Sequence, residues 1–327
     1  MSKQKTVLVT GIGGNVGQGI IRNIRASGYD IRVVGTNVLD FSPGNHLCDV
    51  FYKVPYAYDA AYISTIESIV KKEGVEIILP ATDYEMFYLA THKNQISAKV
   101  VASDANTAGI YLDKYKTFLY HQKHDIPFAQ AFLPSEYPGS FKDYIVKPKE
   151  GRGSRGLHIN PKDLNPFSDK EYMVQELHKG VEITTAFYVT QSNEIHGWIT
   201  FERELVNGTT HNCRVVSKYE DRVLPILHKI VENSAIRGSA NLQSIVTSEG
   251  VIQPFEVNCR ISGTNSIRSQ FGFEDVKYTL QEYLYEVSPD SPKITKGIAT
   301  RILMDVIYKN EDDFDSIMDN NNDHYIF

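Results

Sequence analysis

Short β-branched runs alternate with stretches of helical apolar spacing through the first hundred residues, and this alternation narrows the possible folds more than any other feature of the chain. Residues 6–10 read as a strand that runs into glycines, and 16–24 carry helical spacing. Further strands are expected at 31–34, at 76–79 behind a helix over 62–72, and at 99–102. Strands separated by helices imply right-handed crossovers and hence a parallel sheet. Pro80 stops the strand at 76–79, and Thr82 with Glu85 matches a capping box for a helix over 84–92.

Beyond Leu112 the texture changes. A helix over Lys114–Lys123 leads to a strand at 141–147 and a Gly/Arg loop at 151–156. Strands at 172–175, 181–190 and 194–200, a helix at 224–233 and two strands at 240–246 and 251–257 follow, the last two joined by the turn Ser248-Glu249-Gly250. The stretch 311–323 is acidic and Asn-rich and is expected to be loosely held. At 327 residues the chain has room for about two domains. Its 34 Lys+Arg against 40 Asp+Glu give a formal net charge of −6, which supplies no field to neutralise a nucleic-acid backbone. Cys48, Cys213 and Cys259 lie far apart without CxxC spacing, so neither a disulfide framework nor a zinc site is expected, and a reducing compartment fits. The start shows no signal h-region, and no apolar run reaches the length of about 18 that spans a bilayer. The chain reads as cytoplasmic, with no membrane partner.

The loop 11–17, Gly-Ile-Gly-Gly-Asn-Val-Gly, follows a strand and opens a helix, the setting of a dinucleotide fingerprint. The second strand, however, ends in Thr36-Asn37, with no acid to hold a ribose 2′-hydroxyl. A tight strand-to-helix turn or a substrate-side loop is favoured over a nicotinamide site.

The second half carries the chemistry. Lys147 lies on the run Tyr144-Ile145-Val146-Lys147-Pro148, just ahead of the glycine loop; a point charge beside flexible backbone amides suits a polyphosphate. Glu256 and Asn258 are two apart on an expected strand and share a face, with Gln243 within reach on the preceding strand. Two or three protein oxygens, completed by phosphates and water, are how Mg²⁺ is held at nucleotide sites. Arg260 continues that face and suits an anionic substrate or a transferred phosphoryl group. Cys259 alternates away and reads as core. His121 and His124 read as a solvated helix face.

The order Asp113-Lys114, then Ile145-Val146-Lys147-Pro148 with its glycine loop, then Gln175-Glu176-Leu177 and Glu182, then Gln243, then Glu256-Val257-Asn258-x-Arg260 resembles the ATP-grasp superfamily, and most of all its carbamoyl-phosphate-synthase-like branch. The resemblance implies an α/β fold with an N-terminal Rossmann-like parallel sheet followed by a two-lobed α+β ATP-grasp domain. It divides the chain into 1–110, a small lobe at 111–180, a metal-bearing lobe at 181–312 and an acidic tail at 313–327. It implies ATP and Mg²⁺, with Lys114 and Lys147 on the phosphates and Gly151, Gly153, Ser154 and Gly156 in a loop closing over them. Gln175, Glu176, Leu177 and His178 form the hinge against the adenine, and Glu182 holds the ribose. Gln243, Glu256 and Asn258 are the metal residues; Gln243 stands where many relatives carry Asp or Glu. Arg260, Lys147 and Arg214 neutralise charge in the reaction. The polar segment 262–266 and Arg268 are placed toward substrate. The implied activity joins a small carboxylate to an amine through an acyl phosphate, in a homodimer on base rates. A kinase or carbamate-forming relative, a nicotinamide oxidoreductase and a non-catalytic ATP-binding regulator are the alternatives.

Overall fold

The computed structural model describes residues 4–151, 153, 155–313, 317 and 324–327. The first sheet has five parallel strands in the order β3-β2-β1-β4-β5: β1 (Lys5–Val9), β2 (Ile31–Asn37), β3 (Val50–Lys53), β4 (Ile77–Leu79) and β5 (Lys99–Val100). Helices α1 (Asn15–Ala26), α2 (Tyr62–Glu73) and α3 (Asp83–Thr91) make the crossovers. Val7 and Val9 bury against Ile20, Ile21 and Ile24 of α1, while Leu8 points to the other face with Tyr62 and Ile66 of α2. Burial on both faces is what lets a parallel strand be apolar throughout. β3 lies at the sheet edge, where Val50, Phe51 and Tyr52 are only partly buried and Lys53 is exposed.

The strand order reverses between β1 and β4, which opens a crevice beyond their C-terminal ends. The glycine loop lies there and is tightly packed. A Cβ on Gly17 would fall 2.6 Å from the Gly11 carbonyl oxygen, and one on Gly44 2.0 Å from that of Ile12. The capping box forms by half. Thr82 Oγ1 accepts from the Glu85 amide at 3.2 Å, but the Glu85 carboxylate takes the Thr82 and Thr10 hydroxyls, at 2.8 and 2.7 Å, and so ties α3 to the end of β1.

Helices α4 (Ala105–Leu112) and α5 (Lys114–Lys123) lead to a four-stranded sheet, β6-β9-β7-β8, built from β6 (Ala131–Phe132), β7 (Tyr144–Pro148), β8 (His158–Ile159) and β9 (Tyr172–Glu176). The third sheet is antiparallel, in the order β14-β13-β10-β11-β12-β15, from β10 (Val181–Val189), β11 (Ile195–Val206), β12 (Thr209–Val215), β13 (Gly238–Val246), β14 (Ile252–Asn258) and β15 (Ile298–Thr300). Pairings Thr184↔Phe201, Thr184↔Gln243 and Gln243↔Glu256 set one face. On the other, Ile183, Phe187, Leu242 and Val257 bury against Val223, Leu227 and Ile230 of α6 (Glu220–Asn233). Helices α7 (Asn265–Arg268) and α8 (Asp275–Thr279) bring the chain back to α1, where Val276 joins the core of the parallel sheet.

The acidic stretch 311–323 is described only in part. Residues 314–316 and 318–323 lie outside the described residues; beyond them β17 (His324–Ile326) pairs antiparallel with β16 (Val306–Tyr308). His121 departs from its solvated-face reading. It is fully buried against Phe128 and Tyr111, and burial pushes its imidazole down to about 4.

Candidate active site

Two sheets meet across the candidate cleft, joined at the Phe255 carbonyl. From the four-stranded sheet comes Lys147, 5% exposed on β7, whose Nζ donates to the Phe255 carbonyl at 3.3 Å and lies 5.7 Å from the Phe255 ring centroid. Burial pushes its ammonium down from 10.5 to about 7, against the pull of the Glu256 carboxylate. Lys114 opens α5, which Asp113 caps by accepting from the amides of Tyr115 and Lys116 at 2.9 and 3.0 Å. The cap fixes the helix start, and Lys114 Nζ reaches the Gly151 carbonyl at 3.0 Å. In the glycine loop, Gly153 and Gly156 both take φ of +66°, a conformation open to glycine at little cost. Ser154 lies outside the described residues. At the end of β9, Gln175 is buried and its Nε2 also donates to the Phe255 carbonyl, at 3.5 Å. The amides of Glu176 and Leu177 donate to the carbonyls of Gln130 and Asp143, at 2.9 and 3.0 Å. His178 Nε2 lies 3.4 Å from the Glu176 carboxylate.

From the six-stranded sheet come Glu256 and Asn258 on β14 and Gln243 beside them on β13. Asn258 Nδ2 donates to Glu256 Oε1 at 3.0 Å, and Gln243 Nε2 donates to Asn258 Oδ1 at 3.3 Å. Burial drives the Glu256 carboxyl up, but the charges of Lys114 and Lys147, the Asn258 amide and Arg260 outweigh it and hold the group below the usual carboxylate range. Four residues from three elements and the segment after β14 thus converge electrically on one carboxylate. Arg260 is held by Asp83, at the start of α3, through Nη2 at 2.8 Å, and Nη1 donates to the Ile261 carbonyl at 3.2 Å. Its Nε is buried and, among the described residues, has no hydrogen-bond partner. This pair joins the crevice of the parallel sheet to the cleft. A single carboxylate and a neighbouring amide oxygen fit Mg²⁺, which takes one or two carboxylates and leaves its other positions to phosphate and water. Among the described residues no group of three His, Cys, Asp or Glu side chains gathers, so a metal held by protein alone does not fit.

Arg214 does not join this group. The pairing Glu202↔Arg214 puts it on the face away from Gln243 and Glu256, where it is ion-paired with Glu202 and exposed. Glu202 there also accepts from the Tyr219 hydroxyl at 2.7 Å and pairs with Lys218 at 2.8 Å. The polar segment placed toward substrate is consumed internally. Asn265 accepts from Asn23 Nδ2 at 3.2 Å and donates to the Val16 carbonyl at 3.2 Å, and Arg268 is fully buried against Asp275. Cys259 is buried as expected, and burial pushes its thiol up to about 12. Arg203, on β11, was not singled out by sequence. It holds Glu182 through Nε and Nη2 at 2.9 and 2.6 Å, and its Nη2 also donates to Gln243 Oε1 at 2.5 Å. Its setting between Glu202 and Glu204 reads as a solvated strand; only the cross-strand register reveals it.

With this geometry in hand, comparison places the chain. Residues 7–103 match the family model of the PylC-like, N-terminal domain. No curated protein sequence matches the chain. Among solved structures, an N5-carboxyaminoimidazole synthetase from Staphylococcus aureus complexed with ADP superposes at a TM-score of 0.73 and 13% identity, over 93% of this chain and 84% of that one. The chain has an ATP-grasp fold. An L-amino acid ligase from Bacillus licheniformis matches this ATP-grasp chain at 0.68 and 14% identity, over 89% of it and 76% of the ligase. The biotin carboxylase domain of a Hydrogenobacter thermophilus 2-oxoglutarate carboxylase, in complex with MgADP, ADP and bicarbonate, matches at 0.68 and 15%, over 88% and 71%. Among the described residues no helix is long and apolar enough to cross a membrane.

Proposed function

We propose that this ATP-grasp chain is an ATP- and Mg²⁺-dependent ligase that joins a small carboxylate to an amine. The observation that carries the reading is the convergence of Lys114, Lys147, Asn258 and Arg260 on Glu256 across two sheets, with the glycine loop hanging from one of them. Lys114, Lys147 and the loop of Gly151, Gly153 and Gly156 would hold the phosphates, the stretch from Gln175 to His178 the adenine, and Glu182 the ribose. Glu256 and Asn258 would hold Mg²⁺, which supplies charge neutralisation on the phosphates. A carboxylate oxygen of the acid attacks the γ-phosphorus and ADP leaves. The amine then attacks the acyl carbon, and phosphate leaves with that oxygen. No protein nucleophile is needed; the chain positions the reactants and Arg260 stabilises the charge. The acid and the amine would enter beside Asp83, where the body 1–110 faces the lobes 111–180 and 181–312. Three buried free thiols fit a cytoplasmic setting.

The test is a screen of acids, bicarbonate included, with amines, ATP and Mg²⁺. ADP and phosphate should be released only when an acid and an amine are both present. With an ¹⁸O-labelled carboxylate, one label should pass into the released phosphate. Unlabelled phosphate in a productive reaction would exclude the acyl phosphate. The Glu256→Gln variant should lose about a hundredfold or more in turnover; near-normal turnover there would remove the metal assignment.

A further inference from the structure

Arg203 stands on the cleft face of β11, 10% exposed, between the residue assigned to ribose and those assigned to metal. Four of its contacts are defined: two to Glu182 Oε1, one to Gln243 Oε1 and one to Thr210 Oγ1 at 3.5 Å. A glutamine side chain has one oxygen. The only atom through which Gln243 ligates a cation therefore already accepts from a guanidinium. Its amide nitrogen is turned the other way, toward Asn258 Oδ1. Arginine keeps its charge in a protein, so a divalent ion at the Gln243 oxygen would sit against a permanent positive charge. The carboxylate on that side, Glu182, is neutralised by the same guanidinium.

One strand further on the setting is the opposite. Glu256 carries its negative charge beside an amide whose oxygen, with two lone pairs, accepts one bond from Gln243. Among the described residues no third acidic or imidazole ligand completes a separate site.

We propose that the cleft loads one divalent ion, at Glu256 and Asn258, and that Arg203 excludes a second by capping the Gln243 oxygen. The inference rests on the ATP reading above and extends it to the number of ions; Gln243 is then a support for Asn258 and not a ligand. Arg203 acts on the metal count through Gln243.

The experiment loads the full chain with Mn²⁺ and a non-hydrolysable ATP analogue. Equilibrium dialysis counts bound Mn²⁺ per bound nucleotide, and electron paramagnetic resonance reports whether ions are paired. The natural protein should hold one Mn²⁺ per nucleotide and give an isolated six-line spectrum. The double variant R203M/Q243E, which frees the position and installs a carboxylate, should rise to two and show a coupled multiline spectrum. Two ions in the natural protein overturn the proposal and leave the ATP reading standing. Failure of the natural protein to bind either nucleotide or Mn²⁺ overturns both. A count of one in a double variant with native circular dichroism overturns the assignment to Arg203. The count in the natural protein decides the first point even if the variant does not fold.

Discussion

Two buried arginines eight positions apart have opposite surroundings. Arg268 is fully enclosed, and all five of its donors are used: Nε and Nη2 on Asp275 at 3.2 and 2.5 Å, Nη1 on Ser262 and Thr264 at 2.7 and 2.9 Å, and Nη2 again on Ser239 at 3.3 Å. Arg260 has one carboxylate, one carbonyl and a buried Nε with no acceptor among the described residues. A guanidinium with every donor met is a structural rivet. One left with an unmet donor in a low dielectric holds interaction energy in reserve for a ligand. The two arginines should therefore report on different measurements.

The largest effect is expected at the rivet. Asp275→Ala leaves Arg268 buried and unpaired, and should cost about 3–5 kcal/mol in chemical denaturation. A loss below 1 kcal/mol would show that Arg268 is not anchored as described. Arg260→Met should instead lower turnover by about 10²–10³, worth about 2.7–4 kcal/mol of transition-state stabilisation, with a smaller shift in the denaturation midpoint than Asp275→Ala. A variant equally destabilised and still active would erase the contrast.

His121 sharpens it on the stability side. Its folded-state pKa of about 4 lies below the ordinary 6.5, so between these values the unfolded chain binds more protons. Stability is whole above pH 6.5 and falls as pH drops toward 4, by on the order of 3 kcal/mol. His121→Phe should flatten that acid limb in denaturant titrations; an unchanged slope would reject the buried neutral ring. The smallest effect concerns Thr82, whose hydroxyl caps α3 one residue before the partner of Arg260. Thr82→Ala should cost about 1 kcal/mol, read as a lower denaturant midpoint, while turnover stays within severalfold.

The same contrast separates what the sequence made legible from what it hid. Asp113-Lys114, Lys147 and the Glu256/Asn258 pair could be read because their positions follow local rules: a cap, a strand before a glycine loop, and alternation on one strand. The helix over Lys114–Lys123 is the expected one residue for residue. Helix α4 was missed because Gly109 and a weakly amphipathic pattern blunt its periodicity, although Asp104 caps it through the Thr107 amide at 2.8 Å. Arg203, Arg214 and Arg268 were missed or misplaced for a different reason. Which face a charge takes on β11 or β12 depends on register with a neighbouring strand, and whether a polar segment faces solvent or core depends on what folds over it. Neither is written in adjacent residues. Tertiary pairing decides both, and it turned one expected catalytic arginine outward and brought an unnoticed one in.

Lys147 and Gln175, both buried, end on the Phe255 carbonyl, at 3.3 and 3.5 Å. Two donors crowding one acceptor at such lengths make a loose latch. Each can let go and take a phosphate or a nucleobase while the other keeps the carbonyl covered, so the jaws need not break a strong bond to admit their guest.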